Sequence, residues 1–172
     1  MKKVRLALLV LVAALVLAQL IPVKRTNPPV ESLVQAPPAV LAALRKSCWD
    51  CHSNETVWGW HTRIAPISWL VASDVDEGRE KMNFSRWNAV DPKRREKLAK
   101  KIPEEVGDGD MPPLLYALAH PSARPTEAEK AEIIAWGRTL AAPPAAGSPA
   151  PQPGAGDARR EAGEHEKPEH DR

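Results

Sequence analysis

The chain has only two cysteines, three residues apart and followed at once by a histidine: Cys48-Trp49-Asp50-Cys51-His52. On a helical turn, residues three apart share a face, so both thiols point the same way and the next residue stays close to them. Cys-x-x-Cys-His is the attachment signature of c-type haem. Each cysteine can add to one haem vinyl group as a thioether, and His52 then sits under the iron as an axial nitrogen ligand. A chain with this pentapeptide has to build a helical turn at residue 48 and enclose a large flat macrocycle beside it.

Two other chemistries use similar residues. A thioredoxin-like redox pair or disulfide would also use Cys-x-x-Cys, but it wants a strand–helix context and leaves His52 without a role. A structural zinc site needs four ligands, and His61 and His120 lack the spacing of a second ligand pair.

A haem iron held by one histidine usually takes a sixth ligand. Met111 stands 59 residues after His52, in Gly107-Asp108-Gly109-Asp110-Met111-Pro112-Pro113, outside any helical apolar stripe. Met is a common core filler, yet thioether ligation opposite histidine raises the reduction potential and suits electron transfer. Met111 is therefore the expected distal ligand and His61 the alternative, with Met82 or an open position behind them. His120, before Pro121, reads as the end of a short helix, and His165 and His170 lie in the C-terminal tail. A ligating histidine donates its other ring N–H to a fixed acceptor, sought here in Ile64-Ala65-Pro66-Ile67. Trp58, Trp60, Arg63, Pro66 and Tyr116 are the candidate pocket residues, since indole N–H, phenol O–H and guanidinium can all donate to haem propionates.

The two ends bound the folded part. Residues 1–23 carry Lys2, Lys3 and Arg5 before an apolar run from Leu6 to Leu20 broken only by Gln19, the layout of an export signal. An uncleaved membrane anchor is favoured over a cleaved signal peptide, because the run continues through Ile21-Pro22-Val23 without a clear cleavage site. Either way the rest of the chain is expected outside the cytoplasm, in the periplasm or on the periplasmic face of the inner membrane. Residues 24–38 read as an extended, proline-containing spacer. Residues 143–172 contain no large apolar residue and should stay disordered. The haem-binding domain is then 39–142.

Of the chain's 24 basic and 22 acidic residues, the segment from Thr26 to Ala142 holds 15 and 16. That balance is no nucleic-acid footprint. Lys93-Arg94-Arg95-x-Lys97-x-x-Lys100-Lys101 is the one local basic stretch. It reads as a solvated helix face first, and as a docking strip for an acidic partner second.

Within the domain nothing alternates with period two for long enough to make a strand. Four to five helices are predicted instead. Pro38 opens one that carries Cys48 on its last turn. Ile64 to about Arg79 forms a second, with Pro66 in its first turn. Ser85 caps a short helix around Trp87, and Asp91-Pro92 opens another to about Ile102. Thr126 and Glu129 form a capping box before the last helix. All six tryptophans, at 49, 58, 60, 69, 87 and 136, fall inside the domain.

The order of N-terminal helix, Cys-x-x-Cys-His, later Met-Pro and C-terminal helix is similar to small class I cytochromes c. In those, the terminal helices cross and methionine is the distal ligand. More closely, the chain resembles a family of exported bacterial haem-binding domain proteins. The likeness lies in Thr26-Asn27-Pro28-Pro29, Cys51-His52-Ser53-Asn54-Glu55-Thr56-x-Trp58 and Ile64-Ala65-Pro66-Ile67-Ser68-Trp69. It continues in Val75-x-Glu77-Gly78-Arg79, Asn83-Phe84-Ser85-x-Trp87, Met111-Pro112 and Trp136. The resemblance implies one covalent haem c at Cys48, Cys51 and His52, and membrane attachment or periplasmic residence.

The expected job is transfer of single electrons between exported redox proteins, with no catalysis of its own. A haem-based sensor or binder of carbon monoxide or nitric oxide is the second reading, and a peroxidase accessory the third.

Overall fold

The computed structural model describes residues 1–141, and several of its helices begin at a local signal in the chain. The helices are α1 (Lys2–Ala18), α2 (Pro38–Ser47), α3 (Trp49–His52), α4 (Ile67–Lys81), α5 (Pro92–Gly107), α6 (Leu114–Ala119) and α7 (Glu127–Ala141). Single 3-10 turns cover Trp60–Arg63, Trp87–Ala89 and Pro121–Ala123. Among the described residues there is no strand, only an isolated bridge between Ser32 and Arg86. The all-α expectation therefore stands, with six described helices after α1 rather than four to five, since Trp49–His52 makes its own turn and Leu114–Ala119 adds a short helix. The expected disordered tail, 143–172, lies outside the described residues.

Pro38 at the start of α2 uses its fixed φ where no N–H is needed, and Cys48 closes that helix before α3 begins. At the head of α5, the Asp91 carboxylate accepts from the N–H groups of Lys93 and Arg94. The capping box of α7 is complete: Thr126 N–H donates to Glu129 at 2.7 Å, and Glu129 N–H donates to the Thr126 hydroxyl at 3.2 Å.

Three expectations change. α5 runs past Ile102 to Gly107 with Pro103 inside it. Its Pro103–Ile102 ridge rides against Gly137 of α7, where a Cβ would stand 2.9 Å from the Pro103 ring. Packing against α7 holds that turn helical although the proline removes a hydrogen bond. Ser85 is no helix cap. It is fully buried and its hydroxyl accepts from Asn54 N–H at 3.0 Å. The 24–38 segment is also more than a spacer. Val34 is core, at 2% exposure, and Ser32 and Val34 donate backbone hydrogen bonds to Ser85 and Phe84. Fixing these residues as a strap exchanges chain entropy for buried apolar surface and paired backbone groups.

α2 packs against α7 and α3, α7 against α5, and α3 against α4. The core threads between them through Leu44, Trp49, Phe84, Trp87, Ile102, Ile133 and Trp136. α1 buries none of its residues. At 17 residues it is about 26 Å long, short of a hydrocarbon layer about 30 Å thick. Among the described residues no helix is long and apolar enough to cross a membrane. The favoured anchor thus finds no support in α1.

Candidate functional site

A cavity of about 560 Å³ opens between α2–α3, α4 and α5, closed on another side by the loop from α5 into α6. Cys48, Cys51, His52, Met111 and Tyr116 all line it. So do Leu44, Phe84, Leu98, Ile102, Val106 and Ile133, which make the interior apolar, while charge is confined to Asp74, Glu77, Lys81, Lys101 and Glu105. Size and lining suit a mainly apolar organic ligand with few polar groups.

His52 is the best-held side chain here. It ends α3, is 8% exposed, and its Nδ1 lies 3.0 Å from the carbonyl oxygens of both Gly78 and Met82. Two acceptors at one ring nitrogen fix the proton there, so Nδ1–H donates and Nε2 keeps a free lone pair. Burial pushes the imidazole pKa below its ordinary value, against the upward pull of the two carbonyls. The ring is accordingly neutral at pH 7 and can ligate a metal.

These acceptors lie at the end of α4, where the Gly78 carbonyl also accepts from Met82 N–H at 2.9 Å. The expected acceptor in 64–67 is thus corrected. Ala65 N–H and carbonyl are instead engaged by the Gln19 side chain at 3.0 and 3.2 Å. The approach of α4 to α3 depends on Gly78, since a Cβ there would meet the Cys51 carbonyl oxygen at 2.5 Å.

The turn after His52 is pinned by groups far away in sequence. Phe84 N–H donates to the His52 carbonyl at 2.7 Å. Buried Asn83 donates to the Asn54 side-chain oxygen at 2.8 Å, and Asn54 donates to the Pro29 carbonyl at 2.8 Å. Arg79 donates to the carbonyls of Ser53 and Thr26, each at 2.7 Å, to the Thr56 hydroxyl and to Asn27. Trp49 stacks on Phe84 with centroids 5.5 Å apart.

Both thiols are half-buried and unlinked. Burial first, then each other's proximity, pushes Cys48 up to about 12. Burial, then Asp74 and Asp50, pushes Cys51 up to about 11. They are protonated thiols, unlike the low-pKa cysteines of redox motifs. Among the described residues no group of three or more His, Cys, Asp or Glu is placed to hold a metal ion, the cysteines with His61 and His120 included.

The remaining candidates divide. Tyr116 lines the cavity and donates to Asp50 at 3.0 Å. Burial, then Asp50, raises the pKa of its phenol. Trp58, Trp60, Arg63, Pro66 and His61 do not line the cavity. Trp58 donates to Asn27 at 3.0 Å, and Trp60 is 76% exposed. Arg63 borders a separate small pocket with Gln19 and Arg25. Pro66 sits at the head of α4. His61 lies between Trp60 and His120, its ring centroid 5.7 Å from that of His120.

Sequence reasoning missed the Gly78 and Met82 carbonyls, Asp50 and Ser47. The Glu77-Gly78-Arg79 run was visible, but its contacts were not. Ser47 lines the cavity, with its hydroxyl buried and lacking a hydrogen-bond partner.

Compared with known families, residues 13–139 match a model described as a haem-binding domain. Comparison with curated proteins and with solved structures returns no match.

Proposed function

The chain belongs to the haem-binding domain family, and from that premise we propose that it is a single-haem c-type electron carrier exported to the periplasmic side of the membrane. The observation that carries this reading is His52, neutral and clamped by two carbonyls, lining one cavity with Cys48, Cys51 and Met111. Residues of this kind fit a haem: two protonated thiols, a histidine with a free nitrogen and an apolar lining.

When bound, the group supplies a one-electron iron couple. Cys48 and Cys51 would each hold it by a thioether. Each thiol would add its S–H across one vinyl group of the haem, so that no atom is left over. His52 would ligate through Nε2, while Gly78 and Met82 fix its orientation and raise its basicity. Met111 would hold the iron through its thioether sulfur, which would favour the reduced state. Leu98, Ile102, Val106 and Ile133 exclude water, which also raises the potential.

The basic stretch on α5 is weak support for a docking role, because Lys100 and Lys101 pair with Glu96 and Glu104 on the same helix. The partner is an exported redox protein in this reading.

A small-ligand sensor is the second reading, favoured by one observation: Leu114, Leu115 and Leu118 beside Met111 are 70, 68 and 56% exposed. That wall is thinly packed.

Absorption spectra of the purified protein decide between the two. The electron-carrier reading expects a low-spin haem that survives acid–acetone extraction, a long-wavelength iron–thioether band lost in Met111→Ala, and slow carbon monoxide binding. Extractable haem, or ready carbon monoxide uptake by the parent at neutral pH, would overturn it.

A further inference from the structure

The arm that carries Met111 packs against the core through Met111 itself and reaches α2 through the 3-10 turn after α6, and it is hydrogen-bonded across the cavity at two points. At its root, the backbone N–H groups of Asp110 and Met111 both donate to the Glu105 carbonyl of α5, at 3.0 and 3.1 Å. Pro112 and Pro113 follow, and neither offers an N–H. The chain then enters α6, where Tyr116 reaches back over the cavity to the haem-attachment turn. Its hydroxyl donates to Asp50 Oδ2 at 3.0 Å. Among the described residues this is the one hydrogen bond joining the 110–119 arm to α2 or α3.

The acceptor is itself held in place. Asp50 Oδ1 accepts from Val57 N–H at 3.0 Å, and the Asp50 carbonyl accepts from the Thr56 hydroxyl at 2.6 Å. The opposite face of α6 contributes little, because its three leucines are exposed. A charge-assisted hydrogen bond in a half-buried place is stronger than a neutral one, and here no neighbouring bond duplicates it.

We propose that the Asp50–Tyr116 hydrogen bond is a latch that keeps the Met111 arm closed, making Tyr116 a positioning residue for the sixth ligand. This rests on the reading of Met111 as that ligand. With the latch open, the arm pivots at its Glu105 root and admits a small uncharged ligand such as imidazole or carbon monoxide. Because Asp50 lies between the two attachment cysteines, the latch couples the covalent site to the opposite wall.

The test uses full-length, haem-loaded protein: imidazole binding to the ferric form and carbon monoxide binding to the ferrous form. Tyr116→Phe keeps the ring and removes only the donor, so binding of both should strengthen or accelerate on the order of tenfold or more. Asp50→Asn removes the charge and leaves one oxygen for the two donors, Val57 N–H and Tyr116 O–H, so it should fall between the parent and Asp50→Ala, which should match Tyr116→Phe. The double variant Asp50→Ala/Tyr116→Phe should gain nothing beyond either single change.

A Tyr116→Phe protein that binds both ligands at the parent's rate overturns the latch. So does Leu115→Ser, on the exposed face, if it opens the site equally. Should Tyr116→Phe fail to load haem, the contrast between Asp50→Asn and Asp50→Ala decides the same question. A parent without the iron–thioether band overturns the Met111 reading instead. A parent with the band and an unresponsive Tyr116→Phe overturns the latch alone.

Discussion

The two chain segments that bring His52 and Met111 to one cavity are fastened over very different ranges of sequence. Around His52, the bonds to Gly78 and Met82 span 26 and 30 residues, Asn83–Asn54 spans 29, and Arg79–Thr26 spans 53. Around Met111 the ties are local. Asp110 and Met111 bond to Glu105, His120 lies against the Tyr116 carbonyl four residues back, and Tyr116–Asp50 alone spans 66. Long-range bonds form only when the whole fold is in place, so the His52 wall is preorganised by tertiary structure. The Met111 wall is a tethered arm whose local bonds survive if it swings. A site built this way holds the His52 side fixed and leaves the Met111 side adjustable.

The largest expected effect attacks the preorganised wall at its tightest contact. Gly78→Ala puts a Cβ 2.5 Å from the Cys51 carbonyl oxygen and 3.0 Å from its carbon. Backbone cannot yield as a flexible side chain can, so α4 must move off α3 and take both His52 acceptors with it. The cost should be about 3 kcal/mol or more in urea unfolding. Leu115→Ala on the arm should fall within about 0.5 kcal/mol of the parent. Equal costs would erase the contrast between the walls.

Asn54→Ala comes next. It strands the Asn83 amide donor in a buried place and frees the Pro29 carbonyl. A loss of about 1–3 kcal/mol is expected, with His52 ligation weakened through the displaced 53–54 backbone. An Asn54→Ala protein as stable as the parent would mean that the polar network merely fills space.

This contrast also explains what the sequence disclosed. Cys48, Cys51 and His52 were legible because their chemistry needs only neighbours in the chain. Met111 stood out because Gly and Pro isolate it from any helical stripe. The Pro38, Asp91 and Thr126–Glu129 starts were legible for the same local reason. By contrast, the acceptors for His52 are backbone carbonyls at a helix end 26 and 30 residues away, and a carbonyl has no sequence signature. Trp58, Trp60 and Arg63 were natural pocket candidates by chemistry, but chemistry does not say which surface a residue faces. The strap from 24 to 38 read as a spacer because prolines hide its pairing with 84–87, which only the closed fold reveals.

Arg79 offers a finer probe of the same wall. Its guanidinium serves two carbonyls, a hydroxyl and an amide oxygen at once. A lysine cannot reproduce that fork. Arg79→Lys should cost about 1–2 kcal/mol and release Thr26 and Asn27 first, visible as faster amide exchange in the strap while the rates of the arm stay put. Faster exchange in 110–119 instead would show that the two walls are coupled after all.

The smallest effect concerns the scaffold behind both walls and fades in acid. Lys46, on the last turn of α2 before Cys48, bonds to the Glu129 carboxylate of α7, which also accepts from Thr126 N–H. The Lys46 hydrogen bond, then the backbone bond, lowers the Glu129 pKa from 4.5 to about 2. A depressed folded-state pKa contributes stability that is fully present above the unfolded value and is lost as pH falls through the folded one. The parent should therefore lose stability between pH 4.5 and about 2 more steeply than Glu129→Gln, which has no proton to take up there. The two curves should converge towards the acid end. Glu129→Gln keeps an oxygen for Thr126 N–H and touches neither wall, so imidazole binding at pH 7 should match the parent. If it rises, then the α2–α7 tie restrains the Met111 arm, and the hinge lies deeper in the fold than Glu105.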